Sequence, residues 1–441
     1  MSEGAGLRPG VHVLPARLLL GCLLALAPAG ASAHSGSAVD ASDVSFGRGP
    51  VEWLVVPTFG YESDLGLGLG GFANVARLDP TRRPYGFRVS AQVFFHLMPD
   101  PEGGLGIPFQ NHYVLLDVPD LAGGRLRLSA ELRFRREAIA GYYGLGNASV
   151  DERPWARFDE DTQRPQWIAA RRYHQYDRTY PAGRLTARIG LGRSLETFST
   201  LGVTGSWTRV YEGSRLALDL SDRSSPVIRR SLRGLEPHAL IDGTLGLLWD
   251  SRDDEFEPTR GGLHDISLRG GVGVGGERFG YGGLSAVARG FVSTWKGGLT
   301  LAARARVDLL VGEPPLYELT AAGGFQTDRW STGGGTSLRG VPLQRYHAKI
   351  KLLANVEARV GLARFRFLAR PTRLSLLGFV DLGRFFADWR PRPELDGSGL
   401  GLKVGLGGGL RIRFGSSLVV RADVAISPDG WGGYLDVDQV F

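Results

Sequence analysis

Leu400-Gly401-Leu402-Lys403-Val404-Gly405-Leu406-Gly407-Gly408-Gly409-Leu410-Arg411-Ile412-Arg413-Phe414 alternates strictly. Its even positions are all apolar or Gly: Leu400, Leu402, Val404, Leu406, Leu410, Ile412 and Phe414. Its odd positions are Lys403, Arg411, Arg413 and glycines. In a strand, successive side chains point to opposite faces, so this segment has one greasy face and one charged face. The same pattern returns elsewhere. Arg125 to Arg135 sets Leu126, Leu128, Ala130, Leu132 and Phe134 against Arg125, Arg127, Glu131, Arg133 and Arg135. Leu418 to Ile426 sets Leu418, Val420, Ala422, Val424 and Ile426 against Arg421 and Asp423.

A soluble sandwich also alternates, but its strands run to about five or six residues. Here the segments are about 10 to 14 residues long, enough for a tilted strand to cross a bilayer. Their second face is dense in Arg, Asp and Glu, which suits a watery barrel interior. An open sheet edge cannot survive in hydrocarbon, so such a sheet must close. Composition agrees. Of 441 residues 65 are Gly and only 2 are Met, which argues against a packed helical enzyme. No run of 18 apolar residues exists to form a spanning helix.

The expected fold is therefore all-β: a sixteen-stranded antiparallel transmembrane barrel. Its strands lie near 52–60, 64–77, 85–96, 109–119, 125–137, 179–191, 195–210, 238–250, 262–273, 280–295, 298–311, 348–363, 375–387, 400–414, 417–427 and 431–441. The longest connections, 138–178, 211–237 and 312–347, all follow odd strands, as outer loops should when the first strand starts in the periplasm. Short turns at 80–84, 122–124 and 428–430 are assigned to the periplasmic side, and the chain is expected to end inside its last strand at Phe441.

Residues 1–33 read as a secretory signal. Arg8 and Arg17 form the basic region, Leu18 to Ala29 the apolar one, and Ala31-Ser32-Ala33 a cleavage site. The only cysteine, Cys22, lies within it, so no disulfide is expected. Residues 34–51 are then a short periplasmic segment and 52–441 the barrel. Removing Arg8, Arg17 and Glu3 lowers the net charge from +7 to +6. The remaining arginines are interleaved with acids along the chain, so nucleic acid is not an expected partner.

Three motifs carry a family resemblance. Gly333-Gly334-Gly335-Thr336-Ser337-Leu338-Arg339-Gly340, in the third long loop, resembles the Arg-Gly loop of the BamA/TamA/FhaC superfamily. Asp250-Ser251-Arg252-Asp253-Asp254-Glu255-Phe256-Glu257-Pro258-Thr259-Arg260-Gly261 is similar to that family's periplasmic turn between strands eight and nine, marked by Asp250, Arg252, Asp253, Pro258, Thr259 and Gly261. Gly378-Phe379-Val380-Asp381-Leu382-Gly383 is similar to its thirteenth strand. The resemblance is firm over 240–441 and looser before it, where Tyr142-Tyr143-Gly144-Leu145-Gly146-Asn147 is similar to a segment of barrel-only members. It implies an outer-membrane barrel of a Gram-negative bacterium whose outer loop folds into the lumen, with Arg339 and Gly340 at the tip and Glu357 and Asp381 as acidic partners on the wall. An Arg suits that task because its guanidinium grips carboxylates bidentately. Val341 departs from the family's usual aromatic.

The resemblance also implies function and partners. Family members assist protein or lipid insertion or transport, through a weak seam between the first and last strands. Gly432 and Gly433 would loosen that seam here. The segment 34–51 is too short for one of the family's POTRA domains, so the reading is of a barrel-only member. Leu435, Val437 and Phe441 resemble the C-terminal assembly signal, although Gln439 does not fit, and make this chain a client of the barrel-assembly machinery. Outer-membrane lipids are partners, and unfolded outer-membrane proteins or lipids are candidate clients. A plugged or gated passive pore, or a structural barrel with no insertase activity, is the alternative.

No enzyme chemistry, metal or cofactor is expected. Seven His residues remain after the signal, none with metal-ligand spacing, and a His174/Asp177 pair is the nearest thing to a catalytic couple. The Gly-rich run from Gly270 to Gly276 lies on a strand pattern with no helix after it, so it reads as small lumen-facing residues rather than a phosphate cradle.

Overall fold

The computed structural model describes residues 51–441 apart from 80–81, 153, 193, 223–224, 295–297, 368–369, 415–417 and 438–439. The signal and most of the segment 34–51 lie outside the described residues.

Sixteen antiparallel strands close into one barrel in sequence order, with β16 returning to β1. They are β1 (Val51–Glu62), β2 (Gly66–Asp79), β3 (Arg82–Pro99), β4 (Leu105–Leu121), β5 (Leu126–Gly141), β6 (Gln175–Gly190), β7 (Leu195–Val210) and β8 (His238–Asp250). The second half is β9 (Gly261–Val274), β10 (Gly280–Thr294), β11 (Leu299–Gly312), β12 (Ile350–Phe367), β13 (Arg370–Phe386), β14 (Lys403–Phe414), β15 (Leu418–Ser427) and β16 (Gly430–Val437). Each expected strand has its counterpart.

The alternation sorts side chains as the sequence dictates. On β8, Ile241, Leu245, Leu247 and Trp249 are exposed on the outer wall. On β12, Leu352, Val356 and Val360 face out, while Lys351, Asn355, Glu357 and Arg359 are buried inside. Lipid covers the first set; the lumen takes the charges. The glycine run on β9 serves packing. A Cβ on Gly273 would lie 2.5 Å from the Phe279 ring, and one on Gly271 3.0 Å from Tyr281, so these inward positions make room for aromatic rings.

Two expectations need correction. The 428–430 turn joins β15 to β16 and so sits on the outer rim. Asp429 there accepts a hydrogen bond from Tyr346 Oη of the long outer loop at 2.5 Å. The chain also leaves the wall before its end. β16 stops at Val437, and Val440 and Phe441 turn into the lumen, where their carbonyls accept from Arg304 (3.1 Å) and Arg359 (3.3 Å).

The outer connections are also more ordered than loops. α1 (Arg164–Arg171) lies between β5 and β6, α2 (Arg215–Ser221) and α3 (Pro226–Ser231) between β7 and β8, and the single turn α4 (Pro393–Asp396) between β13 and β14. Ser214 and Ser225 cap α2 and α3 by accepting from Ala217 N (3.2 Å) and Ile228 N (3.4 Å), and Pro226 opens α3.

Candidate functional site

The connection 313–349 folds down into the barrel, and its tip is held by Arg339, which is 0% exposed. Arg339 Nε and Nη2 donate to the two oxygens of Asp381 on β13, at 2.8 and 2.9 Å. Its Nη1 donates to Glu357 on β12 (2.8 Å) and to Asp423 on β15 (3.2 Å). Its backbone N–H donates to Asp381 as well (3.1 Å), and its guanidinium lies 3.3 Å from the centre of the Phe379 ring. Four groups from three strands thus surround one cation.

The carboxylates are themselves tied down. Asn355 donates to Asp381 at 2.7 Å and to the Ser337 carbonyl at 2.6 Å. Arg359 donates to Glu357 (2.9 Å), and Arg411 to both oxygens of Asp423 (2.5 and 3.0 Å). Charges taken out of water need such complete pairing, and removing one partner leaves the rest uncompensated.

Gly340 sits at φ +86°, and a Cβ there would come within 2.8 Å of the Ile426 backbone. Glycine is therefore demanded twice, by conformation and by space. Val341, where the family has an aromatic, is buried with Leu338, Tyr346, Leu353 and Phe385. Tyr346, five residues on, stacks on Phe385 with centroids 4.7 Å apart, so the tip still packs on an aromatic.

A second anchor holds the start of the loop. Asp308 on β11 pairs with Arg269 (2.9 Å) and Lys351 (2.9 Å) and accepts from Gly323 N (2.8 Å). Arg269 also pairs with Glu318 of the loop, and Arg306 with Asp328 (2.8 Å).

The same loop reaches the closure of the barrel. Among the described residues, β1 pairs with β16 at only Tyr61↔Leu435 and Glu62↔Tyr434, against twelve pairs with β2 on its other edge. Loop residues bridge this closure. Gly335 N donates to Glu62 (3.1 Å) and Leu343 N to Asp64 (2.7 Å) on the β1 side. Gly340 N donates to Tyr434 Oη (2.9 Å), and Ser427 Oγ donates to the Gly340 carbonyl (2.7 Å), on the β15–β16 side. Gly432 permits the first of these contacts, since a Cβ there would lie 2.1 Å from the Tyr434 oxygen. Of the C-terminal residues singled out, Leu435 sits in the closure, Val437 pairs with Val420, and the Phe441 ring lies 6.5 Å from Phe291 inside the lumen.

The periplasmic turn 251–260 crosses the barrel mouth. Asp253 accepts from Thr259 N (2.8 Å) and Oγ1 (2.5 Å) and from Arg260 N (3.1 Å), which rolls the turn up on itself. Burial alone would push the Asp253 carboxyl up; the bonds from Thr259 and Arg260 outweigh it and hold the group below its usual range. Arg252 grips Asp250 (2.8 Å), Pro258 is buried, and Gly261 at φ +87° has no room for a Cβ beside the Ser251 carbonyl. Asp254 then reaches Arg413 on β14 at 2.7 Å, and Glu257 approaches Arg373 on β13 (3.7 Å). The turn thus leaves β8 and β9 and lands on β13 and β14, four and five strands beyond β9.

In the sequence, Asp423, Arg421 and Arg411 stand out only as members of charged faces. Their strand parity puts them on the wall that bears Glu357 and Asp381, and that was the available signal. Asn355 shares the polar face of its strand with Glu357 by the same parity; nothing marks Tyr434. His174 and Asp177 are not brought together: His174 Nε2 meets the Glu152 carbonyl (2.7 Å), and Asp177 pairs with Arg136 (2.7 Å).

Comparison with known proteins gives the same picture. The model of the Omp85 superfamily domain matches residues 119–430. No curated protein matches the sequence. BamA from Haemophilus ducreyi lacking POTRA domains 1–3 superposes with a TM-score of 0.52 at 14% identity, over 88% of this chain and 69% of that one. CdiB from Escherichia coli gives 0.50 at 13% identity, over 89% of this chain and 63% of its own, so this chain spans less than two thirds of that protein. At such identity the likeness is one of fold.

Proposed function

The chain belongs to the Omp85 superfamily of outer-membrane barrels, and on that premise we propose that it assists the insertion or transport of protein or lipid at the outer membrane. The observation that carries this reading is the closure: two described residue pairs join β1 to β16, where β1 makes twelve with β2. Each missing ladder bond lowers the barrier to parting the wall, and a parted edge offers unpaired N–H and C=O groups to an incoming strand. Arg339, with Glu357 and Asp381, locks the loop in place, and the loop in turn staples both sides of the closure. No covalent chemistry is needed.

The test is the folding of an unrelated, urea-unfolded barrel into liposomes that hold the refolded protein. Arg339→Ala and a plain porin serve as controls. Faster folding than with the porin, lost in Arg339→Ala, is expected. Equal rates with protein and porin would retire the reading.

A second reading, a plugged pore, is favoured by the depth at which 313–349 fills the outer half of the lumen. It predicts low conductance that rises when the loop is removed, with no effect on client folding.

A further inference from the structure

The lumen holds a chamber of about 290 Å³, near the lower edge of small-molecule sites at about 300–1,000 Å³. Strand register organises one wall of it. Ser129 on β5 lies opposite Thr186 on β6, Thr186 opposite Thr200 on β7, and Thr200 opposite Thr244 on β8. All four line the chamber. Among the described residues, none of these hydroxyls is used in a hydrogen bond within the protein. A row of four unpaired hydroxyls therefore faces the chamber across four strands.

The positions to either side of the row are charged. Two residues toward the periplasm, about 7 Å along the strands, Arg127 and Arg188 stand directly opposite each other. Like charges so placed repel. They pair with Asp117 and Glu196, both at 2.7 Å, and their side chains stay 22% and 19% exposed. Arg88 shares Asp117 at 3.7 Å. Two residues toward the outer side, Glu131 faces Arg184. Arg133 grips Glu131 at 2.7 Å, and Arg184 pairs with Asp242 at 3.3 Å. Arg329 enters the same space from the inward loop and, with Arg184, acts on Glu131 electrostatically. Among the described residues it has no carboxylate within ion-pair distance, and its guanidinium lies 5.6 Å from the Tyr180 ring centre.

Six arginines beside the hydroxyl row thus have four carboxylates within ion-pair distance: Asp117, Glu131, Asp242 and Glu196. Glu255 of the periplasmic turn acts on Arg127 and Arg188 only at longer range. We propose that this chamber is a binding site for a phosphorylated sugar. The phosphate seats against Arg329 and Arg184, since guanidinium groups donate in pairs to its oxygens. The sugar hydroxyls exchange hydrogen bonds with Ser129, Thr186, Thr200 and Thr244. Arg127 and Arg188, toward the periplasmic mouth, draw the anion in. A phosphate monoester carries close to two negative charges at neutral pH, which matches the surplus of cations. Bare phosphate would satisfy the arginines and leave the hydroxyl row unused; a neutral sugar would do the reverse. The site needs neither a parted closure nor a protein client, so it stands or falls apart from the readings above.

Glucose 6-phosphate is titrated into the purified barrel in detergent by calorimetry, with inorganic phosphate and glucose as parallel titrants. One saturable site per barrel is expected for glucose 6-phosphate, weaker binding for inorganic phosphate and none for glucose. Arg329→Gln should weaken glucose 6-phosphate by about tenfold or more while heat-modifiable migration is kept. Thr200→Val/Thr244→Val should weaken it several-fold and leave inorganic phosphate unchanged. No saturable site, full affinity in folded Arg329→Gln, or full affinity in the folded threonine variant would each overturn the proposal. Inorganic phosphate bound as tightly as the ester would overturn it too and make the site one for a bare anion. If neither variant folds, the order of the three titrants on the unchanged protein decides alone.

Discussion

The wall from β12 to β15 and the closure between β1 and β16 meet the same loop on opposite terms. The first is fully laddered: β12 and β13 pair from Ile350↔Phe386 to Phe367↔Arg370 with one bulge, and the wall offers Glu357, Asp381 and Asp423 to a single guanidinium. The second has two described pairs and borrows the loop's backbone amides to hold Glu62, Asp64 and Tyr434. Strong ionic contacts anchor the loop where the wall is rigid, and neutral or single hydrogen bonds tie it where the wall can part. A hydrogen bond is worth about 1 kcal/mol net, whereas stranding a buried charge costs several. A loop anchored in this way can release the closure without leaving the lumen.

The sharpest way to break that contrast is Arg339→Ala. It strands three buried carboxylates and should cost on the order of 2–4 kcal/mol of local stability. Residues 313–349 should become sensitive to added protease, and heat-modifiable migration should shift. If loop protection is unchanged, the anchor lies elsewhere, and the Asp308 group with Arg269 and Lys351 is the place to look.

Much of this contrast is legible in the sequence. Alternation gave sixteen strands because a barrel wall forces each side chain into lipid or lumen, and Arg339, Glu357 and Asp381 came from motif and parity together. The parts that were not legible depend on long-range geometry. Phe441 fits an alternating last strand, but no local pattern reports that Arg304 and Arg359 lie close enough to draw the chain's last carbonyls inward. The reach of Asp254 to Arg413 is hidden for the same reason: the partners are 159 residues apart. Nothing in the alternation singles out Tyr434, and the missing Cβ of Gly432 is what lets its phenol reach the loop. The helix α3 between β7 and β8 carries a local signal, Ser225-Pro226, inside the 211–237 connection.

A milder cut on the closure side is Tyr434→Phe. It removes the acceptor for Gly340 N and leaves the ring, so the expected cost is about 1 kcal/mol. Hydrogen exchange should quicken at Gly340 and along β16 and stay unchanged at β12 and β13. Equal quickening on both walls would mean that the loop transmits strain to its anchor, and the division between rigid and yielding sides would not hold.

The smallest expected effect is one of pH, and it belongs to the closure alone. Asp64 lies in the outer turn between β1 and β2, where burial pushes its carboxyl up to about 6 even though the Leu343 amide donates to it and favours the ionised form. The folded turn therefore prefers the neutral acid more than the unfolded chain does. This contribution is fully present below the usual carboxylate range near 4 and is lost as pH rises through about 6. After correction for intrinsic rates, exchange in 335–343 should be slower at pH 5 than at pH 7.5. The Arg339 contacts to the β12–β15 wall should not follow. Asp64→Asn keeps an acceptor for Leu343 without a titrating proton, so it should flatten the dependence. A dependence that survives in Asp64→Asn would point instead to Glu62, the other carboxylate that the loop touches on the β1 side.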